Sequence, residues 1–329
     1  MQLPIGYTVA LDQFAPAQAV DLAVQADDAG FVGVFCGDHF QPALARHGQA
    51  GFLWSVLASV GARTRGLLGG VTTPGYRMHP AVVAQAAATL ASLHPHRHWL
   101  TLASGEALNE HIVGGYWPEP PERIARMFEA VELIKKLFGN PDKDVRYSGR
   151  YHQLESTRLW TFPEPPPPVL VATSGPATAR RAGRTADGLL TAEPAWDRLQ
   201  VLLRRFEQGA GEAGRDPRAL VRAVQVRVSW AADERAAMTQ ALEEGPVAGL
   251  RFPTADLRSP FVVAQAARSV RAEDLAGRVL VSADPDVHRA HLQRYADLGF
   301  THVFVQNVGR NQGDFIRMYA AHVLGRVTR

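Results

Sequence analysis

Short apolar segments alternate with longer amphipathic ones along the chain. Eight segments are almost continuously apolar and are followed by glycine or polar residues, which is typical of buried strands. They span residues 5–11, 32–40, 67–73, 98–103, 168–173, 186–191, 224–230 and 302–307. Because both faces of these segments are apolar, the pattern predicts a parallel sheet covered on both sides.

The segments between these strands predict helices. Residues 17–30 end at Gly30, residues 52–64 follow, and residues 79–93 place Pro80 at the first helical position. Residues 121–138 put seven large apolar side chains on one helical face. Near the end of the chain, Asp284 with a proline behind it predicts a capped helix start.

Strand–helix alternation over the whole length predicts one (β/α)₈ TIM barrel, formed by a single domain of residues 1–329. Excursions from the barrel are expected near residues 40–50, 145–165 and 240–275. The alternative is an open doubly wound sheet. It is disfavoured because no G-x-G-x-x-G motif follows the first strand and polar clusters follow many strands.

Composition is that of an ordinary soluble protein, with 46% hydrophobic and 20% charged residues. The single cysteine, Cys36, excludes an intramolecular disulfide and suggests a cytoplasmic protein. Neither a signal peptide nor a membrane-spanning run is expected. The net charge is +3 and the arginines are dispersed along the chain, so we do not expect the protein to bind nucleic acid. The arginines are compatible with a small anionic ligand.

Four polar clusters directly follow predicted strands: 38–39, 72–74, 104–106 and 173–175. In a barrel the carboxyl ends of the strands meet on one face, where catalysis takes place. Histidine at position 39 suits a general base near neutral pH. A helix that starts after Gly175 would direct free amides at an anion. The histidine-rich segment 94–98 is interpreted as a solvated turn, so no metal site is expected.

Several segments resemble the coenzyme F420-dependent glucose-6-phosphate dehydrogenase group of the luciferase-like barrel enzymes. They are QFAP (13–16), DHFQP (38–42), TTPGYRMHPAVVAQA (72–86), SGEALNEHIVGGYWPEPPER (104–123) and SGPATARRAGRTADG (174–188). The resemblance implies a TIM barrel that binds the deazaflavin F420 in its carboxyl-terminal mouth. It also implies a homodimer that acts on a small-molecule substrate.

The resemblance implies roles for individual residues. His39 would lie near the substrate hydroxyl and the reactive face of the deazaflavin, and Glu106 would lie close to the deazaflavin ring. A carboxylate in that place can exchange a proton with the ring nitrogen that gains charge on reduction. The residues implied to hold the ring and the start of its tail are Asp38, Thr73, Ser104, Gly105 and Asn109. Those implied to hold the tail phosphate are Ser174, Gly175, Ala177 and Thr178. Arg278 would contact the substrate, and the Gly70–Val71 bond matches a cis peptide of the family in a segment that is one residue shorter here.

The substrate half of the pattern departs from that group. Ala43 stands where sugar-phosphate-oxidising relatives have tryptophan, Ala195 matches a phosphate-binding lysine, and no lysine follows Lys143. We therefore expect a sugar or other alcohol as the hydride donor, but not glucose 6-phosphate. The alternatives are a reductase or epimerase that uses reduced F420, a flavin mononucleotide monooxygenase, and a non-catalytic binding barrel.

Overall fold

Eight parallel strands close into a barrel in the computed structural model, which describes residues 2–193 and 195–329. The order around the barrel is β1–β2–β3–β4–β7–β8–β9–β11, with β11 pairing back to β1. The strands are β1 (Ile5–Thr8), β2 (Gly33–Gly37), β3 (Leu67–Thr72), β4 (His98–Leu102), β5 (Val145–Ser148), β6 (Gln153–Thr157), β7 (Val169–Ala172), β8 (Gly188–Thr191), β9 (Val221–Ser229), β10 (Leu280–Val281) and β11 (His302–Asn307). The predicted TIM barrel is confirmed.

Helices follow most of the barrel strands and cover the outside of the barrel. They are α1 (Pro16–Asp28), α2 (Leu53–Gly61), α3 (Pro80–Leu93), α4 (Ala107–Glu110), α5 (Pro120–Phe138), α6 (Pro176–Thr185), α7 (Trp196–Glu212), α8 (Glu234–Glu244), α9 (Pro260–Ala267), α10 (Ala272–Leu275), α11 (Pro285–Asp297) and α12 (Gln312–His322). The Asp284 side chain accepts a hydrogen bond from the amide of Asp286, which confirms the predicted start of α11.

Side chains alternate between the barrel interior and the helix-covered exterior. The interior is filled by a small cluster that includes Phe35, Leu190, Ala223 and Phe304, all at most 5% exposed. The outward-facing strand residues join a larger core beneath the helices. A packed interior of this kind closes the lower part of the barrel, so that ligands bind above it, at the mouth.

Strand β9 is longer than its neighbour β8. The last pair between the two strands joins Thr191 to Val224, and β9 then continues to Ser229. The two-residue strand β10 covers part of this extension, with Leu280 opposite Val228. Residues 225–227 are therefore left without a strand on the β8 side, which opens the barrel wall at that point.

The excursions occur where they were expected. Residues 145–157 form the antiparallel β5–β6 hairpin, and the segment after α8 contains α9 and α10. The amide of Ala107 donates to the carbonyl of Ala255, so this later segment packs against the mouth.

The sequence left open whether the bond between Gly70 and Val71 is cis, as in the family. The Gly70–Val71 bond is not cis, because β3 runs through it with regular pairing of Gly70 to Cys36 and of Val71 to Gly37. The cis peptide bond of the described residues is Glu164–Pro165.

Candidate active site

The four predicted polar clusters lie at the carboxyl ends of β2, β3, β4 and β7. These strands are consecutive in the barrel, so the clusters together line one half of the mouth. Local sequence signals predicted this half. The opposite half is formed by β1, β8, β9 and β11, and it supplies charged groups that the local sequence signals did not predict.

His39 lies on the inner side of the mouth and is solvent-exposed. Its imidazole covers Gly37, where an added Cβ would come within 3.0 Å of His39 Cε1 and 3.1 Å of Nε2. Only the absence of a side chain at position 37 therefore leaves room for the ring in this place. An accessible imidazole of this kind can exchange a proton with a ligand in the mouth.

Asp38 is enclosed by protein. Its carboxylate accepts a hydrogen bond of 2.6 Å from the Thr72 hydroxyl and lies 3.2 Å from Nη2 of Arg77, and its side chain has no exposed surface. These contacts fix the backbone that carries His39. The predicted contact between Asp38 and the cofactor stays a prediction, and the structure adds this positioning role.

Arg77 joins Asp38 to a second buried carboxylate. Its Nε lies 3.1 Å from Oε2 of Glu110, and both side chains are less than 10% exposed. Burial raises the pKa of Glu110 above its usual value, although the charge of Arg77 opposes this shift. Burial alone would lower the pKa of Arg77, but the two carboxylates raise it. Sequence reasoning missed this group because its members lie more than 30 residues apart.

Asn109 stabilises the loop that carries His39. Its side-chain oxygen accepts hydrogen bonds from the amides of Phe40, at 2.9 Å, and Gln41, at 3.1 Å. Asn109 itself is 3% exposed. The side chain of Gln41 donates to the Leu108 carbonyl at 2.6 Å. The loops after β2 and β4 are thus held together, and the predicted cofactor contact of Asn109 stays a prediction.

The β4 loop packs closely on the end of β3. Gly105 has a φ of +88°, and a Cβ there would lie 2.7 Å from Cγ2 of Thr73. A glycine is therefore required both by conformation and by space. Ser104 is half-buried beside it, and Glu106 is exposed at the rim. This loop presents backbone groups and one accessible carboxylate to the mouth.

The start of α6 has the features of a phosphate site. No side chain caps the helix, and Pro176 supplies no amide at the first position. The Gly175 amide bonds to the Thr173 hydroxyl at 2.9 Å, and the amide of Ala179 bonds to the Gly175 carbonyl. The amides of Ala177 and Thr178 therefore have no intrahelical acceptor at the positive end of the helix dipole. This donor set fits a phosphate, as does the exposed Ser174 beside it.

Asp12 provides a further charge at the mouth that the sequence did not reveal. Its Oδ2 lies 3.1 Å from Nδ1 of the buried His47, whose Nε2 is 3.2 Å from Oε2 of Glu244. Burial alone would raise the pKa of Asp12, but the hydrogen bond from His47 and the nearby His39 lower it overall. A carboxylate that stays ionised here attracts positive charge on the neighbouring imidazoles.

The opposite wall contributes polar side chains from β9. Gln225 donates to the side chain of Gln306 at 3.1 Å, and Arg227 follows it toward the mouth. A cavity of about 440 Å³ opens beside them and is also lined by Glu193 and Arg278. Nη1 of Arg278, the residue predicted to contact the substrate, donates a hydrogen bond of 3.2 Å to the Ala248 carbonyl. Arg278 therefore also stabilises the segment that contains Ala248.

Neither a metal cluster nor a membrane-spanning helix occurs in the part of the chain that the structure describes. Within residues 2–193 and 195–329, no cluster of three or more His, Cys, Asp or Glu side chains could hold a metal ion. Within the same residues, no helix has both the length and the apolar character needed to cross a membrane.

The fold and the site define a class of TIM-barrel enzyme. The chain belongs to the luciferase-like monooxygenase family, whose model matches residues 3–302.

Similar proteins cover the whole chain. An F420-dependent glucose-6-phosphate dehydrogenase of Microbacterium testaceum is 35% identical over 335 residues, covering 100% of this chain and 99% of that protein. One of Mycobacterium tuberculosis is 33% identical over 334 residues, with 100% and 99% covered.

Solved structures agree in fold. An F420-dependent secondary alcohol dehydrogenase in complex with an F420-acetone adduct superposes with a TM-score of 0.92 at 29% identity, covering 98% of each chain. A coenzyme F420-dependent tetrahydromethanopterin reductase from Methanopyrus kandleri has a TM-score of 0.81 at 21% identity, with 100% of both chains covered. The latter likeness concerns the fold alone.

Proposed function

We propose that this protein is an F420-dependent oxidoreductase that removes a hydride from an alcohol. The observation that supports this most is the arrangement of the mouth. An accessible histidine, His39, and an accessible carboxylate, Glu106, lie on the same half as the uncapped start of α6. The names of the similar dehydrogenases and of the superposed alcohol dehydrogenase point to the same cofactor and reaction.

The residues of the mouth fit a phosphate-bearing deazaflavin. The free amides of Ala177 and Thr178 would bind the tail phosphate, and the close packing of Gly105 on Thr73 would bring the β4 backbone to the ring. When bound, F420 supplies a carbon that accepts or returns a hydride. Asp38 and Asn109 keep the flanking loops in place through their buried contacts.

His39 serves as the general base in this proposal. Its imidazole accepts the hydroxyl proton as the alcohol is oxidised, and the ionised Asp12 nearby stabilises the imidazolium that forms. Glu106 at the rim presents an accessible carboxylate oxygen to the mouth, where it can accept a proton from a bound ligand and return it. Both groups are open to solvent, so each can return to its starting protonation state between turnovers.

The substrate proposal departs from the curated relatives, since we expect glucose 6-phosphate to be a poor substrate. Glu193, which is 8% exposed, lines the cavity beside Gln225 and Arg227, which we call the side cavity. Its carboxylate would repel a phosphate dianion, although Nη1 of Arg198 at 3.8 Å offsets part of this charge. Arg278 already donates to protein carbonyls. The resemblance implies two phosphate-binding lysines in the second half of the chain, where no lysine follows Lys143. Loss of these two charge-assisted contacts at ~1.5–3 kcal/mol each corresponds to roughly 10²- to 10⁴-fold weaker binding.

Steady-state assays that follow F420 absorbance with secondary alcohols and with glucose 6-phosphate test the proposal. We expect turnover of an alcohol that falls by about 10²- to 10⁴-fold in His39→Ala, with F420 affinity little changed. Unchanged turnover in His39→Ala would show that the imidazole is structural. A micromolar KM for glucose 6-phosphate with ordinary turnover would refute the substrate proposal and leave the oxidoreductase proposal intact.

A further inference from the structure

Arg227 projects into the mouth from the wall opposite the predicted site. Ala223 on the same strand belongs to the interior cluster, and side chains alternate along a strand, so Arg227, four residues later, also faces inward. Its backbone pairs with that of Gln306, whose side chain accepts a hydrogen bond from Gln225. Arg227 therefore stands directly above the polar pair that covers the packed interior.

The guanidinium of Arg227 has no protein partner in the described part of the chain. It makes no hydrogen bond and no ion pair there, and the charges that influence it are those of Glu106 and Asp12 across the mouth. The surrounding walls desolvate the group and lower its pKa, although its surface remains accessible to solvent. A solvent-exposed guanidinium that makes no contact with a protein acceptor is available to pair with an anion that enters the mouth.

The other arginines of the adjoining cavity are already engaged. Arg278 donates to the carbonyls of Ala248 and Leu250, and Arg294 stacks on the Trp196 ring at 3.8 Å. The cavity also contains the buried carboxylate of Glu193, which accepts a hydrogen bond from the amide of Ala195 at 3.1 Å.

We propose that Arg227 binds a carboxylate group of the substrate, so that the substrate class is a polyhydroxy acid whose carbon chain extends into the side cavity. A guanidinium binds a planar carboxylate through two parallel hydrogen bonds. One guanidinium that faces the carboxylates of Asp12 and Glu106 across the mouth suits a monoanion better than a phosphate dianion. Binding of the acid is independent of the proposed function, whereas its oxidation after binding rests on that function.

Binding is measured on the protein without added cofactor, so that its result is independent of F420 chemistry. Gluconate, glucitol and glucose 6-phosphate share a six-carbon skeleton and carry a carboxylate, no charge and a phosphate, respectively. Each is titrated while tryptophan fluorescence is followed, because Trp196 lines the cavity. A Trp196→Phe variant identifies the contribution of that residue to the signal.

Gluconate is expected to give a saturable change in the millimolar range or below, and glucitol none. Its affinity should fall by about 10- to 100-fold in Arg227→Gln and less in Arg227→Lys. Arg317→Gln, on the exposed face of α12, should match the wild type. Melting temperatures of all variants report whether they are folded.

Three results would overturn the assignment: equal gluconate affinity in Arg227→Gln, no saturation by gluconate in the wild type, or tighter binding of glucose 6-phosphate than of gluconate. None of these results depends on whether the protein binds F420. The failure of this inference is therefore distinct from the failure of the proposed function.

Discussion

Nε of Arg77 lies 3.1 Å from Oε2 of Glu110 in a part of the mouth where both side chains are almost inaccessible. The same guanidinium also donates at 2.8 Å to the backbone carbonyl of Asp38. One arginine thereby compensates two buried carboxylates and fixes the backbone next to His39. The geometry of the proposed base thus depends on a residue that lies behind it rather than in the open mouth.

Arg77→Met should destabilise the protein by about 3–5 kcal/mol, because it leaves the carboxylates of Asp38 and Glu110 buried without a counter-charge. Urea unfolding measures the change. Arg63→Met is a matched control, since its ion pair with Asp21 is more than half exposed, and it should cost at most about 1 kcal/mol. Equal effects of the two substitutions would contradict the account.

Asp12→Asn should make the free energy of unfolding depend less on pH in the acid range. The folded-state pKa of Asp12 is lowered, so its contribution is fully present above about pH 4 and is lost as the pH falls through the folded pKa. The difference in free energy of unfolding between wild type and variant should therefore shrink on acidification. Asp314→Asn, at the exposed start of α12, should change stability by no more than about 0.5 kcal/mol. A difference for Asp12→Asn that grows at low pH would be inconsistent with a lowered pKa.

Gly37→Ala should impair turnover while leaving the fold intact. The new Cβ would lie 3.0 Å from Cε1 of His39, so the imidazole must move. The shift needed is a few tenths of an ångström, and because a misplacement of about 1 Å can cost about 100-fold in rate, we expect a loss of up to about 10-fold. In Gly211→Ala the added Cβ meets nothing within 4 Å, and turnover should be unchanged. Steady-state rates of both variants measure turnover, and their melting temperatures show whether they are folded. Full activity in Gly37→Ala would show that the position of the His39 ring is unimportant for turnover.

Ala177→Asp should weaken F420 binding by about 10- to 100-fold, because a carboxylate would occupy the phosphate position at the start of α6. An acidic residue in the first helical turn stabilises the helix itself, so the fold is not at risk. Ala177→Ser serves as the uncharged control. A deazaflavin riboside without the phosphate should bind wild type and Ala177→Asp equally, as measured by fluorescence titration. An equal loss of affinity for the riboside would place the phosphate elsewhere.

Much of the fold could be predicted because the barrel strands are marked by local apolar runs. All eight predicted strands exist, but the first two end earlier than expected. Val9 and Ala10 are buried outside β1, and Asp38 leaves β2 to meet Thr72 and Arg77. Burial in a loop and burial in a strand give the same sequence pattern, so apolar runs overestimate strand length. The short strand β10 has too few residues for any periodicity.

The charged framework of the site could not be predicted in the same way. The pairs of Asp38 with Arg77 and of His47 with Glu244 join segments far apart in the chain, and nothing local marks the partners. The position of Arg227 in the mouth could not be predicted either. It follows from the pairing of β9 with β8 and β11, which closes the barrel and which no local sequence signal marks. Turn glycines and polar clusters, in contrast, are local signals.

The choice of cofactor is tested most directly by titrating the protein with F420 and, under the same conditions, with flavin mononucleotide, while intrinsic tryptophan fluorescence is followed. The amides at the start of α6 and the backbone of the β4 loop predict saturable binding of F420 in the low micromolar range or tighter. Flavin mononucleotide should bind more weakly. Equal or tighter binding of flavin mononucleotide would contradict the proposal that this barrel uses the deazaflavin.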